Sequence, residues 1–194
     1  MEQILFCKTF SFYTIRLNTS HHTDNSKGIP CHFVARMHSG SGIIRALSGE
    51  ELHLRAGDFF YLPMGLQYHS YWTIDETGDR TVSWESYGFI HWPVRNETRY
   101  AMQKIVPSAE AVAWLDRLAQ DQTVSPASVG YLYLYLSAVL PHFRVCDPDP
   151  KRALLQRAFA YIQQNKSFSV SELARVCCIS ESGLYALFRE YACT

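Results

Sequence analysis

Apolar and polar residues alternate along the first half of the chain, and a helical period takes over in the second. FVARM (33–37), GIIRALS (42–48), EELHLRAGDFFYLP (50–63), YHSYWTI (68–74) and TVSWESYGFIHWP (81–93) are rich in Val, Ile, Tyr, Phe and Trp. Within residues 1–95, Gly, Ser, Asp or Pro separates these runs roughly every 8–12 residues, the rhythm of an antiparallel sandwich or barrel. In ELHLR, Leu52 and Leu54 alternate with His53 and Arg55, which demands one buried face and one wetter one.

Two helices are predicted next. SAEAVAWLDRLAQ (108–120) sets Ala111, Trp114, Leu115 and Leu118 at helical intervals behind Ser108 as N-cap. ASVGYLYLYLSAVLPHFRV (127–145) is more apolar: Val129, Leu132, Leu136, Val139 and Leu140 form one stripe, and Tyr131, Tyr133 and Tyr135 line other faces. Such a helix is buried, either against the sheet or against a second copy of itself. CDPDPKR (146–152) has the composition of a linker, and ALLQRAFAYIQQN (153–165) reads as a helix with Leu155, Phe159 and Ile162 on one side.

SVSELARVCCISESGLYALFREY (169–191) carries a sharper pattern. Ser169 and Glu172 form an S-x-x-E capping box that starts a helix. A helix-turn-helix needs a small residue at the crossing, an apolar plug in the turn and an apolar pair on the second helix. Ala174, Ile179, and Leu184 with Leu187 fill those roles, Leu173 and Val176 lie beneath, and Ser180 caps the second helix. Cys178 stands where Gly is commonest, so a non-Gly residue has to accept an unusual backbone angle. In this geometry the exposed start of the second helix enters the major groove, which nominates Glu181, Ser182, Gly183, Tyr185, Ala186 and Arg189 for DNA contact. Arg189 is the one cation among them. A plain two-helix hairpin finishing a core is the alternative.

Composition fits a folded protein, with 47% hydrophobic, 14% aromatic and 19% charged residues. Net charge is zero, so no basic field over the whole chain argues for nucleic acid. The balance does shift: residues 1–150 hold 12 Lys and Arg against 15 Asp and Glu, and residues 151–194 hold 6 against 3. Cys7, Cys31, Cys146, Cys177, Cys178 and Cys193 form no CxxC pair and read as reduced, buried thiols, Cys177 and Cys178 within a helical pattern. MEQILFCKTFSFY lacks the features of a signal peptide, and no uncharged apolar stretch is long enough to span a membrane, so a cytoplasmic protein is expected.

The order of these parts resembles the AraC/XylS family of bacterial transcription regulators, and within it the arabinose-regulator type with a cupin-like sensor. GDFFYLPMGLQYHSYW (57–72) is similar to the family's G-D-x-x-x-x-P-x-G turn, ISESGLYALFREYA (179–192) to its first helix-turn-helix, and WESYGFIHWP (84–93) to the strand closing its sensor barrel. The resemblance implies an α+β chain. A cupin-like β-barrel (jelly roll) with a helical pair, for effector binding and dimerisation, would occupy residues 1–145, a linker 146–152, and the first half of a DNA-binding domain 153–194. Family members usually add a second helix-turn-helix after a long helix, and this sequence stops at Thr194, where that helix would begin. The expected reader is therefore C-terminally truncated and binds DNA weakly.

Many cupins hold a metal through an H-x-H pair, a Glu and a further His. Here His38 and His53 are far apart, Tyr68 occupies the later position with His69 beside it, and His21 and His22 fall in a polar segment read as a loop. No metal, cofactor or enzymatic activity is expected. A barrel lined by aromatics remains, drawn from Trp72, Trp84, Trp92, Tyr61, Tyr68, Tyr71 and Tyr87, with His69, His91 and Arg36 as polar partners. Flat rings with polar tips suit a sugar or related metabolite. The expected ligand-binding set is Arg36, Tyr61, Tyr68, His69, Trp72, Trp84, Ser86 and Tyr87. At the positions where the arabinose type contacts its effector, the resemblance places Ser70, Ser86 and Gly88, small residues that imply a reshaped pocket. It also implies a homodimer through helix 127–140, with Leu132, Leu136 and Val139 along an antiparallel seam. The alternative is a stand-alone cupin, binding or enzymatic, whose helical tail is structural.

Overall fold

The computed structural model describes residues 9–93, 98–121, 123–146, 150–165 and 167–192. Cys7, Cys193 and residues 147–149 of the expected linker lie outside them. The chain divides into two compact units, Met1–Cys146 and Asp147–Thr194.

Among the described residues, the first unit has nine antiparallel strands: β1 (Phe10–Leu17), β2 (His21–Asn25), β3 (His32–Ser39), β4 (Ser41–Ala46), β5 (Glu51–Arg55), β6 (Phe59–Leu62), β7 (Tyr68–Thr73), β8 (Val82–Phe89) and β9 (Gln103–Ile105). They form a five-stranded sheet in the order β1-β8-β3-β6-β9 and a four-stranded sheet in the order β2-β7-β4-β5. Helices α1 (Ala109–Gln120) and α2 (Pro126–Val139) follow, the second running into a 3-10 turn at Leu140–His142. The fold is α+β, with the jelly-roll character of cupin-like domains.

Two cores explain the layering. Ala35, Met37, Ile44, Leu54, Phe60, Trp72 and Trp84 meet between the sheets. Val34, Tyr61, Tyr87 and Phe89 point the other way and meet Ala111, Leu115, Leu118, Leu132 and Leu136 of the helices. The middle of the five-stranded sheet is thus covered on both faces, and β8 has no exposed position along its length, whereas the edge strand β1 keeps exposed positions such as Tyr13. The four-stranded sheet keeps a wet outer face, as in β5, where Leu52 and Leu54 are buried between exposed Glu51, His53 and Arg55.

Ser108 caps α1 by accepting from the Ala111 N–H, 3.2 Å. Ser125 and Ser128 cap α2 reciprocally. Of the two settings open to α2, the structure has the first: Leu132 and Leu136 are fully buried and Val139 is 2% exposed in the sheet-facing core. The expected dimer seam through Leu132, Leu136 and Val139 is therefore corrected, because their side chains are already consumed within the chain.

Other differences have local causes. The 50–63 run splits at Ala56–Gly57, where Gly57 takes φ +89° and turns the chain between β5 and β6. His21 and His22 lie on β2, paired with Trp72 and Tyr71 of β7, where a loop was expected. Strands β1 and β9 are additional to the predicted runs, and helix α2 stops before Pro141.

Among its described residues, the second unit has three helices: α3 (Pro150–Gln164), α4 (Val170–Cys177) and α5 (Glu181–Ala192). The capping box holds α4: Glu172 N–H donates to Ser169 Oγ at 3.1 Å, and Ser169 N–H to Glu172 Oε2 at 2.8 Å. Ala158, Leu173, Ala174, Cys177 and Leu184 form the core, with Ile179 and Phe188 packed on it. Leu187 is also buried, at 5%. Cys177, one position beyond Val176, fills the space beneath, since it follows Leu173 by a full turn.

Candidate functional site

Two places bring together residues of the kind that bind ligands. The first is the space between the sheets. Strand alternation sends Tyr68, Ser70 and Trp72 of β7, Trp84 and Ser86 of β8, and Phe60 and Leu62 of β6 to the same interior. A cavity of about 370 Å³ remains among them, reached also by Thr23 and Asn25 of β2 and Phe33 of β3. Its main feature is a tryptophan pair: the rings of Trp72 and Trp84 stack at 4.1 Å with 14° between planes. Gly42 on β4 makes room for them, because a Cβ there would stand 2.5 Å from Trp72 Cζ3. Trp72 Nε1 donates to Ser70 Oγ at 3.0 Å, and Ser70 is 1% exposed. Burial pushes the Tyr68 phenol up to about 12, so it stays a neutral hydroxyl.

Of the eight residues expected to bind ligand, Tyr68, Trp72, Trp84 and Ser86 line this cavity, and Arg36, Tyr61, His69 and Tyr87 do not. The correction follows from the period of two. Arg36 and Tyr87 lie one residue out of phase with Ala35 and Ser86, so they face the helices. His69 alternates with Tyr68 and Ser70, projects from the outer face, and sits 3.7 Å from Asp24 while stacking on His22. Tyr61 alternates with Phe60 and joins His32, Trp92 and Tyr100 around a separate outer cavity of about 450 Å³. There His32 Nδ1 accepts from the Met64 N–H at 3.1 Å and lies 2.8 Å from the Tyr61 hydroxyl, and burial pulls its pKa down to about 4. Tyr71 is 40% exposed on the outer face.

Sequence reasoning missed the apolar wall contributed by Ile29, Phe33 and Phe60, because Ile29 lies outside every predicted run and the runs holding Phe33 and Phe60 give no cue about which face turns inward. It also missed a charge cluster on the helix-facing side. Arg36 donates from Nε to Glu85 Oε1 at 2.9 Å and from Nη1 to Asp116 Oδ1 of α1 at 2.6 Å, and His38 Nε2 lies 3.1 Å from Glu85 Oε2. Burial opposes the Arg36 charge, but the bonds and charges of Asp116 and Glu85 outweigh it, so its pKa lies above the ordinary value. His53 stands on the exposed face of β5 beside Glu51, away from His38.

The second place is the exposed side of α5. The turn before it closes as a Schellman motif: Ile179 N–H donates to the Ala174 carbonyl and Cys178 N–H to that of Arg175, both at 3.1 Å. Cys178 occupies the left-handed position at φ 56°, ψ 38°. This removes it from the helix and exposes it, correcting the expectation of a buried thiol. Ser180 Oγ then accepts from the Gly183 N–H at 3.1 Å, starting α5. Glu181, Ser182, Tyr185, Ala186 and Arg189 are exposed, Tyr185 at 63%, and Gly183 is half-buried. Glu181 accepts a hydrogen bond from the Ser171 hydroxyl of α4, which ties its carboxylate to the neighbouring helix.

No family model matches the sequence, and neither does any curated protein. Solved structures do share the fold. An apo ToxT variant from Vibrio cholerae strain SCE256 superposes with a TM-score of 0.54 at 10% identity, over 95% of this chain and 76% of that one. ToxT from Vibrio cholerae O395 bound to (E)-4-(8-methylnaphthalen-1-yl)but-3-enoic acid gives 0.50 at 8% identity, over 93% and 76%. The AraC-like transcriptional activator CuxR gives 0.50 at 15% identity, over 95% and 72%. The fold shared with ToxT and CuxR covers 93–95% of this chain.

Proposed function

We propose that a chain with this fold is an AraC-like, effector-responsive transcription regulator: a small molecule occupies the cavity between the sheets, and α5 reads DNA. The cavity carries this reading, since it is walled by both sheets and bordered by a rigid pair of rings with neutral polar groups beside them. ToxT, which shares the fold, is recorded with a small organic acid bound. Bound effector would change the DNA affinity of the second unit, a coupling between two sites.

Glu181, Ser182, Gly183, Tyr185, Ala186 and Arg189 form the proposed DNA surface. With Arg189 as its one cation, specific binding by the 194-residue polypeptide is expected to be weak, near the roughly micromolar range of non-specific complexes at physiological salt. Arg189→Ala lowers it further and reduces the salt slope by about one if the guanidinium meets a phosphate. Fluorescence anisotropy at two salt concentrations tests this, and nanomolar sequence-specific binding that survives Arg189→Ala overturns the assignment. Dimerisation belongs to the same reading, through the outer side of α2 around Gly130 and the 45%-exposed Leu134. A monomer in sedimentation at high protein concentration would remove it. Carbohydrate is the effector class the family resemblance suggests, and a thermal-shift screen against sugars examines it, since a ligand of the native state raises the melting temperature.

A further inference from the structure

Resting on the effector reading of the interior cavity, we infer that this cavity selects an uncharged, flat, largely apolar molecule with one or two hydrogen-bonding groups, and discriminates against both carboxylates and sugars.

The wall decides this. Ile29, Phe33, Phe60, Leu62, Trp72 and Trp84 supply most of it. Its polar members, Tyr13, Thr23, Asn25, Tyr68, Ser70 and Ser86, bear hydroxyls or an amide, and no Asp, Glu, Lys, Arg or His lines it among the described residues. The alternation that brings Thr23, Tyr68 and Ser70 inside sends Asp24 and His69 to the opposite face of the sheet, and His21, which shares the inward phase at the start of β2, is exposed and does not line the cavity. A carboxylate entering here leaves water without gaining a cation, and an unpaired charge in an apolar site is strongly disfavoured.

Sugars fail for a related reason. A pyranose turns donors and acceptors to every side, and each one left unpaired in the bound state costs affinity. The wall offers few partners, and Ser70 already accepts from Trp72 Nε1. What the wall does offer is a flat surface that cannot retreat. Trp72 is held between the bare Cα of Gly42 and the ring of Trp84, so the pair keeps its place when a ligand arrives. A planar ring system stacks on such a surface with little reorganisation. About 370 Å³ lies at the small end of ligand cavities, which run from roughly 300 to 1,000 Å³.

The test compares three compounds on the full 194-residue chain at pH 7: 2-naphthol, 2-naphthoic acid as its anion, and L-arabinose. Calorimetry gives affinity, and tryptophan fluorescence reports on the ring pair. The expected result is that 2-naphthol binds and quenches tryptophan fluorescence. The naphthoate should bind at least about 30-fold more weakly and improve as acidification neutralises it. Arabinose should produce no heat. Gly42→Ala, which forces Trp72 off its seat, should weaken 2-naphthol at least about tenfold. Trp84→Leu should do the same by removing half of the stack, which keeps the test intact if Gly42→Ala fails to fold.

Naphthoate or arabinose binding as tightly as 2-naphthol overturns the inferred class while leaving a sensor in place. Binding of none of the three overturns it as well, as does 2-naphthol affinity unchanged by both substitutions. If 2-naphthol binds as expected but leaves DNA affinity unaltered, the regulatory reading fails and the ligand class stands.

Discussion

Replacing Arg36 with Met removes the guanidinium that links β3, β8 and α1. The side chains of Arg36 and Glu85 are 16% and 6% exposed, so the pair is largely shielded from water. Without Arg36, Glu85 loses its close cation and keeps His38 at 3.1 Å, whose side chain is 42% exposed, together with the Tyr87 hydroxyl, which is neutral. Stranding one member of a buried pair costs about 3–5 kcal/mol. The lost contact to Asp116 adds under ~1 kcal/mol, because that carboxylate is 52% exposed and solvated. At roughly 2–4 °C per kcal/mol for a unit of this size, the melting temperature drops by about 6–24 °C. The double variant Arg36→Met with Glu85→Leu should recover at least ~2 kcal/mol, since an apolar pair replaces two charges that were expensive to bury. Urea unfolding followed by tryptophan fluorescence isolates the effect, because Trp72, Trp84, Trp92 and Trp114 all belong to the first unit. A loss below ~1 kcal/mol, or a double variant no more stable than Arg36→Met alone, would refute the view that Glu85 depends on Arg36.

Three further outcomes follow from the geometry. Cys178→Gly relieves a left-handed backbone that costs an L-residue about 1–2 kcal/mol, offset in part by about 0.4–1 kcal/mol of added unfolded-state freedom; amides of α4 should exchange more slowly, and faster exchange counts against the turn as described. Gly88→Ala places a Cβ 2.3 Å from Ser11 Oγ and 2.9 Å from Phe33 Cε1, so urea unfolding should show a loss of about 1–3 kcal/mol, and an unshifted midpoint contradicts the packing. His32 has a native pKa of about 4 against 6.5 when unfolded, so its contribution is complete above 6.5 and is lost as pH falls through 4; His32→Asn, which keeps an acceptor for the Met64 N–H, should flatten that part of the stability profile, and an unchanged profile sinks the assignment.

How far the sequence could be read is clearest strand by strand. Alternation in ELHLR located a strand and its buried side together, because the other face of β5 meets water. The same logic stops at β8: sheets cover one face and helices the other, so nearly every residue is buried and the pattern cannot say which face holds the cavity. The sequence pattern therefore does not separate Tyr68, Trp72, Trp84 and Ser86 from Arg36, Tyr61, His69 and Tyr87. The capping box at Ser169 and Glu172 and the plug Ile179 were legible because caps and tight turns depend on adjacent residues. The stripe on α2 was legible as apolar, yet its partner is fixed by tertiary contact, which left the sheet and a second copy of the chain equally open. Strand β2 was hidden by composition, since HHTDN has the polarity of a loop and gains its conformation from pairing with β7.

Strand β8 sets Trp84 and Ser86 toward one layer and Glu85 toward the other while pairing with neighbours on both sides. Sliding it by a single residue would drive a carboxylate into the ring-walled hollow and force an indole into the ionic cluster under α1. Both errors are so costly that the strand admits one alignment, and its chemistry therefore acts as a proofreading device for assembly as well as furnishing the cavity.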